Sequence, residues 1–154
     1  MYLFILILDA KIRDRAVRTV QTFLSNKGDS LSYDEFLKLW KGFFYCFWLS
    51  DKTDGQFALA ELIAKLVHNL PVEKKGDFAE SGAALFLRSF WETMGREWPR
   101  LDRLRLNKYY NLMKHMLHQS FQLISVASET EESSSWNPEI VKGHNAILLG
   151  TVFE

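Results

Sequence analysis

Between positions 40 and 48, six of nine residues are aromatic: Trp40, Phe43, Phe44, Tyr45, Phe47 and Trp48. At helical pitch, Phe36, Trp40, Phe43 and Phe47 fall at i, i+4, i+7 and i+11, while Leu37, Phe44 and Trp48 fill the flank. A helix that is apolar around most of its circumference has to be covered from several sides, so the rest of the chain must supply layers around it. Each large aromatic buried contributes about 1.5–3 kcal/mol of transfer free energy, which makes residues 37–52 the expected hydrophobic hub. Ser32 and Glu35, with Leu31 and Phe36 at the flanking positions, spell a capping box with a hydrophobic staple. Ser50, Asp51 and Lys52 give the hub a polar exit.

The remaining periodic segments also read as helices. Residues 10–24 place Ile12, Ala16, Val17, Val20, Phe23 and Leu24 on one face and basic residues opposite, and Gly28 in the following turn suits a left-handed cap. A third helix follows 53–56, where Thr53 and Gln56 could form a second capping box; it carries Leu59, Leu62, Ile63 and Leu66 and stops at Pro71. After a polar linker at 72–77, residues 80–98 form a fourth helix closed by Pro99. Gly95 inside it costs about 1 kcal/mol against alanine, which a close helix contact would justify. A fifth helix spans 102–126. Residues 127–135 are acidic and serine-rich and cannot bury enough surface to order themselves. Asn137 and Pro138 then read as N-cap and first turn of a last helix.

No segment alternates convincingly as a strand. The expected fold is all-α: antiparallel helix pairs one–two, three–four and five–six, spaced about 45 residues apart, as a HEAT/armadillo-like helical repeat or an irregular helical bundle. The expected organisation is a helical domain at 1–126, an acidic loop at 127–135 and a terminal helix at 136–154, read as the start of a continuation.

Charge narrows the function. With 19 basic and 19 acidic residues the chain is formally neutral, so it lacks the global basic excess of a protein that holds nucleic acid by charge alone. RNA contact would have to be local or arranged by partners. The one cysteine, Cys46, cannot form an internal disulfide, in keeping with a reducing compartment. Residues 1–8 are apolar but too short for a bilayer, which needs about 20 such residues. They also lack the basic and small-residue signals of a secretory leader, so an apolar lead-in to the first helix is expected.

Sites for chemistry are scarce. An EF-hand ending at Glu35 would put Leu24, Gly28 and Asp29 at loop positions needing acid, acid and glycine, so calcium is not expected. His115 and His118 can share a helix face, but two imidazoles without a third ligand make a weak metal site. Cys46 among aromatics should be inert, and no nucleophile elbow, phosphate loop or zinc-protease motif occurs. The remaining feature is a basic stripe of Arg88, Arg96, Arg100, Arg103, Arg105 and Lys108, interleaved with Trp91, Trp98 and Tyr109. Arginine beside aromatics suits RNA phosphates and unpaired bases; a solvated helix face explains the same residues equally well. Together with Lys41, Asp51 and Lys52 at the hub, Arg96, Arg100, Arg103, Arg105 and Lys108 are the candidate docking or RNA-contact residues. Helix capping and ion pairing are the competing explanation.

Three collinear blocks carry a resemblance: Asp34-Glu-Phe-Leu-Lys-Leu-Trp-Lys-Gly-Phe-Phe-Tyr-Cys-Phe-Trp-Leu-Ser-Asp-Lys52, then Phe86-Leu-Arg-Ser-Phe-Trp-Glu-Thr-Met-Gly-Arg-Glu-Trp98, then Leu101-Asp-Arg-Leu-Arg-Leu-Asn-Lys-Tyr-Tyr110. They are similar to the N-terminal part of the ribosomal RNA-processing protein 1 family of nucleolar proteins, over roughly residues 9–121. The resemblance implies an all-helical scaffold, without catalytic residues or cofactor, acting in pre-rRNA processing and assembly of ribosomal precursors, chiefly of the large subunit. It implies a location in the nucleolus, and ribosome assembly factors and pre-ribosomal particles as partners, rather than a membrane or a small-molecule substrate. A general helical-repeat adaptor unrelated to ribosomes is the alternative.

Overall fold

The computed structural model describes residues 10–50, 53–73, 77–128 and 137–152. These form six α-helices: α1 Ala10–Lys27, α2 Tyr33–Trp48, α3 Thr53–Lys65, α4 Gly82–Glu97, α5 Arg103–Ser128 and α6 Pro138–Val152. Short 3-10 turns close several of them, at Gly28–Ser30, Leu66–Asn69 and Trp98–Arg100, and no strand occurs among the described residues. The all-α expectation holds. The apolar lead-in at 1–8, the exit residues Asp51 and Lys52, and the part of the acidic loop after Ser128 lie outside the described residues.

α2 is the hub. The Ser32 hydroxyl accepts from the Glu35 amide at 3.4 Å and the Glu35 carboxylate accepts from the Ser32 amide at 2.8 Å, completing the capping box. The Ser32 amide, and then the Ser32 hydroxyl donating to the same carboxylate at 2.8 Å, hold the Glu35 carboxyl below the usual range. Phe36, Trp40, Phe43, Cys46 and Phe47 are fully buried, and Phe44 nearly so. The Trp40 ring sits 4.7 Å from both Phe86 and Phe90 of α4, and its indole N–H donates to the Phe86 carbonyl at 2.9 Å. At the other end Tyr33 donates to Glu92 at 2.5 Å, and the Arg88 guanidinium lies 5.0 Å over the Tyr33 ring. Burial, then the Glu92 carboxylate, pushes the Tyr33 phenol up. Arg88, part of the basic stripe in sequence, thus helps to hold α2 on α4.

The tightest packing is between helices two apart: α3 on α5, α2 on α4 and α4 on α6. The sequential pairs touch more lightly. α3 and α5 therefore stack in one row and α2, α4 and α6 in another, with the aromatic rings of α2 and α4 meeting inside the second row.

Three local expectations change. Gly28 does not cap α1 in a left-handed conformation; it opens a 3-10 turn and is buried because a Cβ there would lie 2.3 Å from Leu70 Cδ2. Gly82 makes a second close approach, with Gly28 O at 3.0 Å and Pro71 Cδ at 3.1 Å from its would-be Cβ. The chain after α3 is thus pressed between two glycines. Thr53 and Gln56 form no capping box: Thr53 already lies within α3, and the Gln56 amide reaches back to the Ser50 carbonyl at 2.7 Å. Gly95 serves no close helix contact either, since it is exposed and nothing lies within 4 Å of its would-be Cβ. Gly95→Ala is therefore expected to stabilise the fold by about 0.5–1 kcal/mol. A rise in the urea midpoint at unchanged slope checks it; a fall would mean that the site is not open.

α6 begins as its sequence indicated: the Asn137 carboxamide oxygen accepts from the Glu139 amide at 3.0 Å and Pro138 is the first helical residue. It buries Ile140, His144 and Ile147. His144 Nε2 lies 3.0 Å from Ser120 Oγ of α5, while Nδ1 is buried without a partner. Burial holds the His144 imidazole below its ordinary value, against a weaker upward pull from Asn145. The unfolded chain therefore takes up this proton first, so the contribution of His144 to stability is intact above about pH 6.5 and is lost as pH falls below it. Urea midpoints at pH 7.5 and 5.5 should differ in that direction, and His144→Gln should flatten the difference.

Candidate functional site

The C-terminal end of α2, the 3-10 turn after α4 and the first turns of α5 meet at one corner, where most of the candidate residues lie. Lys108 is only 8% exposed. Its ammonium donates to the carbonyls of Trp48 at 2.7 Å and Ser50 at 3.0 Å, and lies 5.7 Å from the Phe47 ring centre. A cation here satisfies carbonyls that α2 leaves open and complements the negative end of its dipole. Arg105 sits with its guanidinium 4.4 Å over the Trp48 ring and pairs with Asp102. Asp102 also accepts from the Arg105 amide at 3.0 Å, capping α5. Partial desolvation opposes the Asp102 carboxylate, but the side-chain and backbone hydrogen bonds of Arg105 outweigh it and keep the carboxyl below the usual range.

Arg96 and Arg100 flank Glu97, whose side chain is only 4% exposed, with N–O distances of 3.3 and 3.2 Å. Beside them Tyr109 is fully buried, stacked 4.7 Å from Phe44 and donating to the Phe44 carbonyl at 2.8 Å. Burial pushes its phenol far up. Of the eight candidates, then, Lys108 and Arg105 are engaged in joining α5 to α2, and Arg96 and Arg100 balance a buried carboxylate. Lys41 and Arg103 are exposed, and Asp51 and Lys52 are outside the described residues.

Chemistry of other kinds finds little footing. Among the described residues no three His, Cys, Asp or Glu side chains gather as a metal would need. Cys46 is buried in the core. A cleft of about 590 Å³ between the ends of α1 and α3 is lined by Leu24, Ser25, Asn26, Asp29, Asn69 and Glu73 among others, with no nucleophile–base pair. No described helix is long and apolar enough to cross a membrane.

On the outer face of α5 the sequence had pointed to Arg103 alone. There Arg103, Asn107, Tyr110, Lys114 and His118 are all exposed, and the Tyr110 ring meets Trp98 edge-on at 5.1 Å. The available signal was that residues 103–128 contain no aspartate or glutamate.

Such an arrangement defines an all-α platform, helical bundle or repeat, whose buried polar groups tie helix ends together and whose exposed groups offer a surface. The sequence matches the model of the family described as nucleolar protein, Nop52, over residues 7–154. It is 44% identical to human ribosomal RNA processing protein 1 homolog B over 147 residues, covering 92% of this chain and 17% of that protein. Human homolog A is 39% identical over 118 residues, 74% of this chain and 24% of the relative. A Drosophila melanogaster homolog is 28% identical over 143 residues, 91% of this chain and 19% of the relative. The chain belongs to the Nop52 family, as the three sequence blocks implied, and spans between 17% and 24% of the length of these relatives.

Proposed function

We propose that this chain is a non-catalytic helical scaffold in nucleolar pre-rRNA processing and ribosomal subunit assembly, chiefly of large-subunit precursors. The observation that carries the reading is the family match, which runs through all six helices. The use of the buried polar side chains agrees with it. Trp40, Lys108 and Tyr109 all direct their donors to backbone carbonyls of neighbouring helices, a use that builds shape. Its partners are ribosome assembly factors and pre-ribosomal particles in the nucleolus, and its work requires neither cofactor nor small-molecule substrate. Tagged chain should sediment with ribosomal precursors on a gradient of nuclear extract, and depletion of the protein should accumulate unprocessed rRNA. A chain that stays at the top of the gradient, with normal rRNA maturation on depletion, would sink the proposal.

A further inference from the structure

We infer that the outward face of α5 binds single-stranded RNA, with Arg103 and Lys114 on phosphates and Tyr110 as the platform for an unpaired base. The inference rests on the scaffold reading and names the partner chemistry of one of its surfaces. α5 is 26 residues long and contains no carboxylate, although the chain has 19. Its inward cations, Arg105 and Lys108, are engaged with α2. The outward set Arg103, Asn107, Tyr110, Lys114 and His118 follows i, i+4, i+7, i+11 and i+15, so it forms one straight stripe about 22 Å long. Neither Arg103 nor Lys114 has an ion-pair partner among the described residues.

Tyr110 stands between those two cations and is 49% exposed. Trp98 packs against its ring at 5.1 Å and an interplanar angle of 68°, a contact that orients the ring before a base arrives while half of the side chain stays open to solvent for stacking. Arg100, two residues beyond Trp98, is 71% exposed despite its contact with Glu97. The nearby carboxylates are already balanced: Glu97 is buried between two arginines, Asp102 pairs with Arg105, and Glu61, which faces His115 from α3, pairs with Lys65. Among the described residues, an anionic strand laid on α5 therefore meets positive charge whose neighbouring carboxylates are already paired. An acidic peptide would use the cations but gains nothing from an oriented ring, and a duplex has no unstacked base to offer it.

The test is fluorescence anisotropy of the chain with a labelled single-stranded RNA of mixed sequence, about 12 nucleotides long. Arg103→Glu combined with Lys114→Glu should weaken binding at least tenfold and flatten the log–log salt dependence by about 1.4, two phosphate contacts at about 0.7 each. Tyr110→Ala should weaken binding by about five- to tenfold without changing the salt slope, and Tyr110→Trp should restore it. Arg18→Glu with Lys38→Glu makes the same change in net charge on exposed positions of α1 and α2 and should bind like the parent. Circular dichroism on each variant verifies that these surface changes leave the fold intact. Equal affinity in all variants overturns the inference. So does a polyglutamate peptide that binds as tightly as RNA and is indifferent to Tyr110→Ala, which would make an acidic peptide the occupant. If the parent chain sediments with ribosomal precursors but shows no RNA binding through this face, only the RNA inference falls. If it binds RNA here but never sediments with precursors, the scaffold reading falls on its own.

Discussion

Trp40→Ala should lower the unfolding free energy by about 3–5 kcal/mol, the range for deleting a large buried aromatic. Trp40 is completely buried and packed against Phe43, Phe86 and Phe90. The substitution leaves a cavity where two helices meet, and it also strips the indole donor from the Phe86 carbonyl. In a chain of this size 1 kcal/mol moves the melting temperature by about 2–4 °C, so a loss of about 6–20 °C is expected. Trp40→Phe retains much of the ring packing and should cost about 1–3 kcal/mol, the lost hydrogen bond plus a smaller void. Urea denaturation followed by circular dichroism measures both. A Trp40→Ala cost below about 1 kcal/mol would mean that α2 is not the core of the fold.

The second large effect is expected at Lys108. Lys108→Met keeps most of the methylene packing against α2 but removes the three donors and the charge. Two carbonyls, of Trp48 and Ser50, then lose a charged partner that is 2.7 and 3.0 Å away. Hydrogen bonds to charged groups are worth about 1.5–3 kcal/mol, and a buried acceptor left open adds a desolvation penalty, so a net loss of about 2–4 kcal/mol is expected. The Gln56 amide still reaches the Ser50 carbonyl, which makes the Trp48 carbonyl the more exposed to loss. Hydrogen exchange should quicken at the end of α2 more than at its capped start. A neutral result would mean that these carbonyls do not depend on Lys108.

The helices were legible because their ends are written locally. Ser32 with Glu35 and Asn137 with Pro138 are signals within four residues, and each appears as read. The glycines were not legible, because their roles depend on the chain that comes near. Gly28 lies against Leu70, 42 positions away, whereas Gly95 meets only open space; nothing in either glycine's own neighbourhood tells them apart. The basic stripe was only half legible for the same reason. Sequence shows charge but not direction, and along one helix Arg105 and Lys108 turn inward while Arg103 and Lys114 turn out. Row-wise stacking also escaped the reading by sequential pairs, since loop lengths report neighbours in sequence while side-chain bulk decides which neighbour packs hardest.

The Lys108 and Tyr109 contacts bind α5 to carbonyls 58–65 residues earlier in the chain. The hub helix therefore cannot be finished by the residues that immediately follow it. While the polypeptide is still emerging during translation, its most aromatic segment waits with loose carbonyls at one end and with the Phe44 and Phe47 rings open on the side Tyr109 will cover. Its closure waits for two adjacent residues, Lys108 and Tyr109, so an early part of the core is completed only by a segment made well after it.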